Sequence, residues 1–479
     1  MPEETAGAEI LSLGRDFPPV PTPAWEAAIQ KDLKGADYEK KLVWRTDEGL
    51  AVRPYYRREN LAGLEAQMQP LPGQFPFVRG SGDPWQSRED AAFPANAIRA
   101  DHLHESGGHA VQELGYALAE GVGRLAALTA SMPVEKAARQ VEFVYAIGSN
   151  YFFEIAKLRA ARMLWAQAVA AFGPADLACC RARIHVRTSR FNKSLYDCYT
   201  NLLRVTTEAM SGVIGGADTL YIEPFGFSPH LAQGVERVLR EESHLDAVAD
   251  PAGGSYYIEA LTDALAAQAW KLFQAVEAEG GYSRALATGS IEKALEETRA
   301  ARRKAVSSRR RTLVGVNNFP NVNEKTPECE APLPAADSAF ASVRLAEPFE
   351  RIRRRSTAYA AAAGRYPKVL LLNRGDLKMR MARANFCFNF FGCAGFDIVE
   401  SEEYAGSDAD LIILCSSDPE YTAFAKEVCA AVSVPVLVAG NPKDQIEALK
   451  TSGVQGFIHI GSDAVQTLTE WQTRLGVKE

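Results

Sequence analysis

The chain has 479 residues, 47% of them hydrophobic, and a formal net charge of -7. Two or three domains with buried cores fit that length, and an acidic balance argues against a nucleic-acid surface. No apolar run approaches the roughly 20 residues needed to cross a bilayer, and Met1 to Gly7 is too polar and acidic for a signal peptide.

Residues 1–74 read as an arm. Trp25 to Leu33 predicts a short amphipathic helix, and Val43 to Thr46 with Leu50 to Val52 predicts two short strands about a turn at Asp47 to Gly49. Leu61 to Gln74 is a connection broken by Gly63, Pro70, Pro72 and Gly73. An arm without its own core suits wrapping another domain or subunit.

Residues 75–321 alternate apolar strands with longer helices. Strands are expected at Val141 to Ala146, Arg183 to Arg187 and Thr219 to Ile222. Helices are expected at Tyr151 to Phe172, Tyr199 to Gly212, Leu261 to Glu279 and Ile291 to Ala305, with a strand-like Ser255 to Ile258 after a tight turn at Gly253 and Gly254. Repeated βα units point to a parallel sheet or a (β/α) barrel of the TIM type. Residues 322–365 read as a linker, with breakers at 325–328 and at Ala331 to Pro334. The basic runs Arg309 to Arg311 and Arg351 to Arg355 read as solvated helix faces or partner contacts rather than phosphate sites.

Residues 366–479 form a compact βα series with strands at Val369 to Leu372, Phe396 to Val399, Leu411 to Cys415, Val434 to Ala439 and Gly456 to Ile460. Five such units predict a flavodoxin-like doubly wound domain, whose ligands sit at the carboxyl ends of the strands. Gly375, Asp376, Ser416, Ser417, Gly440 and Asn441 should converge there. The eight cysteines show no metal-like paired spacing and read as reduced thiols of a cytoplasmic protein. His102, His104 and His109 lie close in sequence, but spacing alone is a weak metal signal, and a surface or packing role is the simpler reading.

Several longer motifs resemble the acyl-CoA mutases of the methylmalonyl-CoA mutase family. They are the helix Glu154 to Trp165 with Lys157, Arg159 and Arg162; Asn201 to Arg204 with Glu208 and Met210; Gly215 to Leu220; Asp250 to Glu259; and Gly315 to Asn317. Their order and spacing fit the family, and the resemblance covers most of the chain. The arm segments Asp32 to Tyr38 and Lys41 to Thr46 are similar to the small subunits of heterodimeric members. Read from the residues alone, the helix Glu154 to Trp165 has an apolar stripe of Ile155, Leu158, Ala161, Leu164 and Trp165 for packing. Lys157 and Arg159 on the same helix could pair with acids.

The resemblance implies a (β/α)8 barrel holding acyl-CoA, and a cobalamin domain carrying D-x-H-x-x-G, whose histidine ligates cobalt. This chain departs from that pattern. Asp376 stands, but Lys378 replaces the histidine and Met381 the glycine, and an ammonium has no lone pair for a metal. The Arg79-Gly80 motif runs straight into Ser81 to Trp85, so the tyrosine-bearing segment of catalytic members is missing. His102 is retained where they carry Tyr-His, Thr188 and Ser189 match their T-S-G turn, Arg190 replaces its glycine, and Tyr221 stands where histidine is common. A full barrel takes roughly 250 residues, and its earlier units are missing between Ala95 and His102, so the barrel is expected to be incomplete.

These departures mark His102, Thr188, Ser189 and Arg190 as degenerate catalytic positions, and Asp376, Lys378, Met381, Ser416 and Gly440 as degenerate cofactor positions, with no metal site. The resemblance then implies a non-catalytic small subunit that binds no cofactor itself and stabilises a catalytic large subunit holding adenosylcobalamin. Asp37, Tyr38, Trp44 and Arg45 are the expected interface anchors. The alternatives are an autonomous acyl-CoA mutase that binds cobalamin, and a scaffold or ligand sensor using the flavodoxin-like domain.

Overall fold

A computed structural model describes residues 17–88, 92–94, 96–327 and 338–478. Met1 to Gly7, Ala95 and the breakers Ala331 to Pro334 lie outside them. The chain divides into two compact units, Met1–Tyr56 and Arg57–Glu479.

In the first unit, helix α1 (Thr22–Asp32) begins beside proline, which suits the first turn because it lacks an N–H to lose. Strands β1 (Trp44–Arg45) and β2 (Ala51–Val52) pair antiparallel, Trp44 opposite Val52. Trp25 packs on Tyr55 with ring centroids 5.4 Å apart. Asp37 accepts a hydrogen bond from the Lys40 N–H at 2.9 Å, and Arg45 pairs with Glu39 at 2.9 Å. The Trp44 ring is 42% exposed.

The second unit holds two five-stranded sheets. The first contains β3 (Gln86–Ser87), β4 (Ile98–Arg99), β5 (Glu142–Ile147), β6 (Arg183–Thr188) and β7 (Thr219–Tyr221), in the order β3-β7-β6-β5-β4 and all parallel. Phe143 to Ile147 is buried along its whole length, as a strand covered on both faces must be. Helices α2 (Ala100–Glu105), α3 (Ala110–Thr129), α4 (Tyr151–Ala170), α5 (Tyr199–Ile214) and α6 (Tyr256–Ala278) belong to this part. Trp165 of α4 meets Phe143 edge-on at 5.0 Å. The edge strands β3 and β4 are two residues each, and among the described residues no pairing joins them.

One local expectation fails. Ser255 to Ile258 is the start of α6, not a strand: the Ser255 hydroxyl caps the helix by accepting from the Ile258 N–H, and Glu259 sits in the first turn. The cap outweighs the strand preference of Tyr256, Tyr257 and Ile258. Gly254, with φ +83°, makes the turn before it.

Helix α7 (Ser290–Ser307) is followed by a long connection to α8 (Glu347–Ala363), which lies inside the stretch read from the sequence as linker. The connection crosses the first sheet's strand ends, where the Val343 N–H donates to the Glu105 carbonyl and the Leu345 N–H to the Phe191 carbonyl, both at 2.9 Å.

The second sheet contains β8 (Lys368–Asn373), β9 (Asp397–Ser401), β10 (Leu411–Cys415), β11 (Val436–Ala439) and β12 (Gly456–Ile458). All neighbours are parallel, in the order β12-β11-β10-β8-β9. Counted from β8 this is the 2-1-3-4-5 order of flavodoxin-like domains. Val369 and Leu371 enter one core with Phe390, Phe391 and Trp471, while Leu370 and Leu372 enter the opposite core with Tyr421 and Phe424. That alternation puts helices α9 (Leu377–Gly392) and α11 (Ala464–Arg474) on one face and α10 (Tyr421–Ala431) on the other.

Candidate functional site

Each sheet has a polar cluster at the carboxyl ends of its strands, where parallel α/β folds place their chemistry. In the first sheet the cluster gathers around Ile147, Thr188 and Tyr221. Asp101 is fully buried and accepts from Arg99 at 2.9 and 2.8 Å and from Arg187 at 3.4 Å. Burial alone would raise its pKa, but the two arginines outweigh that and hold it below the usual carboxylate value. Arg187 also pairs with Glu223, which takes a second arginine, Arg190, through Nε at 2.6 Å. The Thr188 hydroxyl accepts from the Glu223 N–H at 3.0 Å, and the Arg190 N–H donates to Glu105 at 2.8 Å. Burial, then the like charge of Arg187, lower the Arg190 pKa to about 10. The space over these strand ends is therefore threaded by ion pairs.

Deeper in, His104 Nε2 lies 2.9 Å from the Ser189 Oγ, and His104 Nδ1 lies 3.5 Å from Glu113. A serine, a histidine and a carboxylate in this order have the form of a nucleophile relay. Two observations give it a structural role instead. Ser189 is 1% exposed. Glu113 is already held by Lys157 at 2.6 Å and by the Ala146 N–H at 3.0 Å, and Lys157 also meets Glu154 at 2.5 Å and the Ala146 carbonyl at 2.6 Å. Burial would lower the Lys157 pKa, but its two carboxylates raise it overall; burial would raise that of Glu113, but Lys157 and His104 lower it overall.

The sequence singled out His102, which is buried on α2, yet His104 is the histidine that reaches Ser189. Two residues apart on a helix point to nearly opposite faces, so only tertiary packing decides between them. His109 caps α3 by accepting from the Gln112 N–H, so the three histidines go to three places. Among the described residues no group of three His, Cys, Asp or Glu side chains is placed to hold a metal ion. Lys157 and Arg159 use the stems of a packing helix to reach acids, Arg159 pairing with Asp250 and with Glu259 at 2.6 Å.

In the second sheet the crevice between β8 and β10 is the point where strand order reverses. Gly375, Asp376, Ser416 and Ser417 meet there, joined by a residue the sequence reading passed over. The Glu420 carboxylate accepts from the Ser416 hydroxyl at 2.5 Å, the Ser417 hydroxyl at 2.8 Å and the Ser417 N–H at 3.3 Å. The serine hydroxyls, with the Asp376 N–H added, hold its pKa below the ordinary value. Gly375 has φ +79°, and a Cβ there would strike the Glu420 carboxylate. Beside it the Tyr421 hydroxyl donates to the Ala439 carbonyl at 2.6 Å and accepts from the Ser416 N–H at 3.2 Å, which fills the gap between β10 and β11. At Gly440 a Cβ would meet the Arg383 guanidinium at 3.2 Å, itself paired with Asp418 at 3.1 Å.

Asp376 caps α9 by accepting from the Met379 N–H at 2.9 Å. Lys378 is exposed in the first turn and makes no ion pair among the described residues, and Met381 is 54% exposed. The donor set does not fit cobalamin: an ammonium stands in the ligand position, and a carboxylate occupies the crevice that a cofactor tail would enter.

Two α/β regions, each a parallel sheet with its polar groups at the strand ends, define a two-part α/β protein of the enzyme type. The family model described as methylmalonyl-CoA mutase matches residues 83–363. A methylmalonyl-CoA mutase small subunit from Porphyromonas gingivalis is 31% identical, over 98% of this chain and 100% of that protein. A methylmalonyl-CoA mutase small subunit from Streptomyces virginiae is 37% identical over 80% of this chain and 64% of its own length. A methylmalonyl-CoA mutase from Cereibacter sphaeroides is 38% identical over 49% of this chain and 34% of its own length. The chain belongs to the methylmalonyl-CoA mutase family, cobalamin-dependent isomerases. The alignment with the P. gingivalis protein runs over 618 positions against 479 residues here, so it opens gaps in this chain. No helix among the described residues is long and apolar enough to cross a membrane.

Proposed function

We propose that this chain is the small, non-catalytic subunit of a heterodimeric adenosylcobalamin-dependent methylmalonyl-CoA mutase. The complex would interconvert methylmalonyl-CoA and succinyl-CoA, with cofactor and thioester held by the large subunit. The work of this chain is assembly and stabilisation of that partner, in the cytoplasm. The observation that carries the reading is Glu420: the switch-point crevice already holds an anion on four donors of the chain itself. Lys378 in place of a cobalt ligand supports it. So does the ion-paired cluster of Asp101, Arg187, Arg190 and Glu223, which stands where a catalytic mouth would need open space.

We read the first sheet as the retained part of a (β/α) barrel, with short edges that a partner or the chain's own arm would cover. The names of two relatives, each a small subunit, support a larger partner.

Two experiments test the reading. Co-expression with the cognate large subunit should give a complex that co-purifies in one-to-one ratio. Titration of the isolated chain with cobalamin should leave the visible spectrum of the free cofactor unchanged. Stoichiometric binding to the isolated chain, or a chain that remains alone beside its large subunit, would overturn it.

A further inference from the structure

A groove of about 710 Å³ runs between α7, the start of α8, and α11, where the first sheet's helices meet the flavodoxin-like domain. Its floor is apolar, from Val306, Leu345, Phe349 and Val465. One wall is basic, with Arg303 and Lys304 on α7 and Arg351 on α8; the other carries Asp463 and Glu470.

The two walls differ in how far their charges are satisfied. Asp463 caps α11 by accepting from the Gln466 N–H at 3.0 Å and also accepts from Ser307, while Glu470 pairs with Arg474 at 2.6 Å one turn along its own helix. On the basic wall Arg303 comes no nearer to an acid than 4.0 Å, at Glu347, and its Nε is buried without a partner. Lys304 and Arg351 are exposed and make no ion pair among the described residues. Burial lowers the Arg303 pKa first, Glu347 opposes this, and the like charges of Arg299 and Arg351 lower it further. The groove thus has uncompensated positive charge along one side of an apolar floor.

An apolar floor beside a charged wall takes an amphipathic helix, whose apolar stripe fills the floor while one flank meets the wall. We infer that this groove docks an amphipathic helix with an acidic flank carried by the large subunit, the acids facing Arg303, Lys304 and Arg351. The inference rests on the heterodimer reading above and names the face and charge of its interface. It also gives a use to the basic run at 351–355, of which Arg351 faces the groove.

The test is affinity for the purified large subunit, measured at low and high salt, with Lys304→Glu/Arg351→Glu against the control Lys426→Glu/Lys443→Glu. Both doubles change the net charge by the same amount; the control residues are exposed, and Lys426 lies on α10, across the second sheet from α11. Unchanged circular dichroism and melting temperature establish that each variant is folded. The groove double should weaken binding at least tenfold, and most of that difference should vanish at high salt; the control should stay within twofold. Hydrogen exchange should slow at α7 and α11 in the complex. Equal binding by the two doubles overturns the groove while leaving the heterodimer intact. Protection of these helices by self-association of this chain alone also overturns it, in favour of a second copy. Failure of the unaltered chain to bind the large subunit overturns the heterodimer reading itself.

Discussion

Lys157 offers the sharpest test that the strand-end cluster of the first sheet is structural. Its ammonium is fully buried against Glu113 and Glu154, and Glu113 is itself fully buried. Lys157→Met keeps the length of the side chain and removes the charge, leaving the Glu113 carboxylate with one N–H at 3.0 Å and His104 at 3.5 Å. Breaking a buried pair from one side costs about 3–5 kcal/mol. The penalty should depend on pH. In the parent the Glu113 pKa is depressed, so its contribution is present above the unfolded value and lost as pH falls through the folded one. Without Lys157, burial is opposed only by His104 and the Ala146 N–H, so that pKa should rise, and the variant is penalised most at neutral pH and least toward pH 4. Urea unfolding followed by tryptophan fluorescence measures both effects. Lys157→Met/Glu113→Gln should recover part of the loss, because the fully buried Glu113 charge is gone; Glu154, 5% exposed, still lacks its Lys157 partner, and Lys157→Met/Glu113→Gln/Glu154→Gln should recover more. A loss under about 1 kcal/mol, flat with pH, would refute the argument and return Ser189, His104 and Glu113 to consideration as working groups.

Asp101→Asn should cost on the order of 3 kcal/mol at neutral pH by removing the buried acid that Arg99 and Arg187 share, which leaves Arg187 with Glu223. It should also flatten the acid limb of the parent's stability curve, since a depressed carboxylate loses its contribution as pH falls through its folded pKa. The Lys193–Glu208 pair behaves oppositely: both ends are buried at 2.7 Å, yet burial wins, lowering the lysine and raising the acid. Lys193→Met/Glu208→Gln should therefore be neutral or stabilising in thermal melts, whereas Lys193→Met alone should destabilise. Gly375→Ala should cost about 1–2 kcal/mol for the left-handed backbone, plus a steric part that Glu420→Ala relieves in a double-mutant cycle. Lys378→His alone should not confer cobalamin binding by absorbance titration, because Glu420 still fills the crevice; binding by that single variant would show the crevice to be open.

The second sheet was largely legible because its signals are local. Val369 to Leu372 and Leu411 to Cys415 are short apolar runs buried on both faces, and their order along the chain is enough to suggest a doubly wound sheet. The helix beginning at Tyr256 was misread because three strand-prone residues follow a glycine pair, while its start is set by one serine hydroxyl. That Lys157 and Arg159 would pair with acids was legible, but which acids was not: Arg159 and Glu259 are 100 residues apart, and nothing in either neighbourhood announces the other. Glu420 did have a signal. Ser417 and Glu420 have the S-x-x-E spacing of a capping box, and both reciprocal hydrogen bonds form. The sequence reading followed the strand-end serines and glycines and stopped three residues short.

That omission matters for how the departures at this site relate to each other. A crevice built to receive an anion leaves the Ser416 and Ser417 hydroxyls and the Ser417 and Asp376 N–H groups pointing at one place. Once a chain no longer holds a ligand there, those donors need another acceptor or a water to avoid a desolvation cost. Glu420 supplies the acceptor from within, on the turn that leads into α10, where negative charge is also favoured by the helix end. On the proposed reading, Lys378 and the Glu420 carboxylate are two halves of one change: the first would remove the bond to a ligand, and the second satisfies the groups a ligand would have used. Restoring the first without removing the second should leave the crevice closed, and that dependence separates a domain adapted to do without its ligand from one that has merely lost a contact.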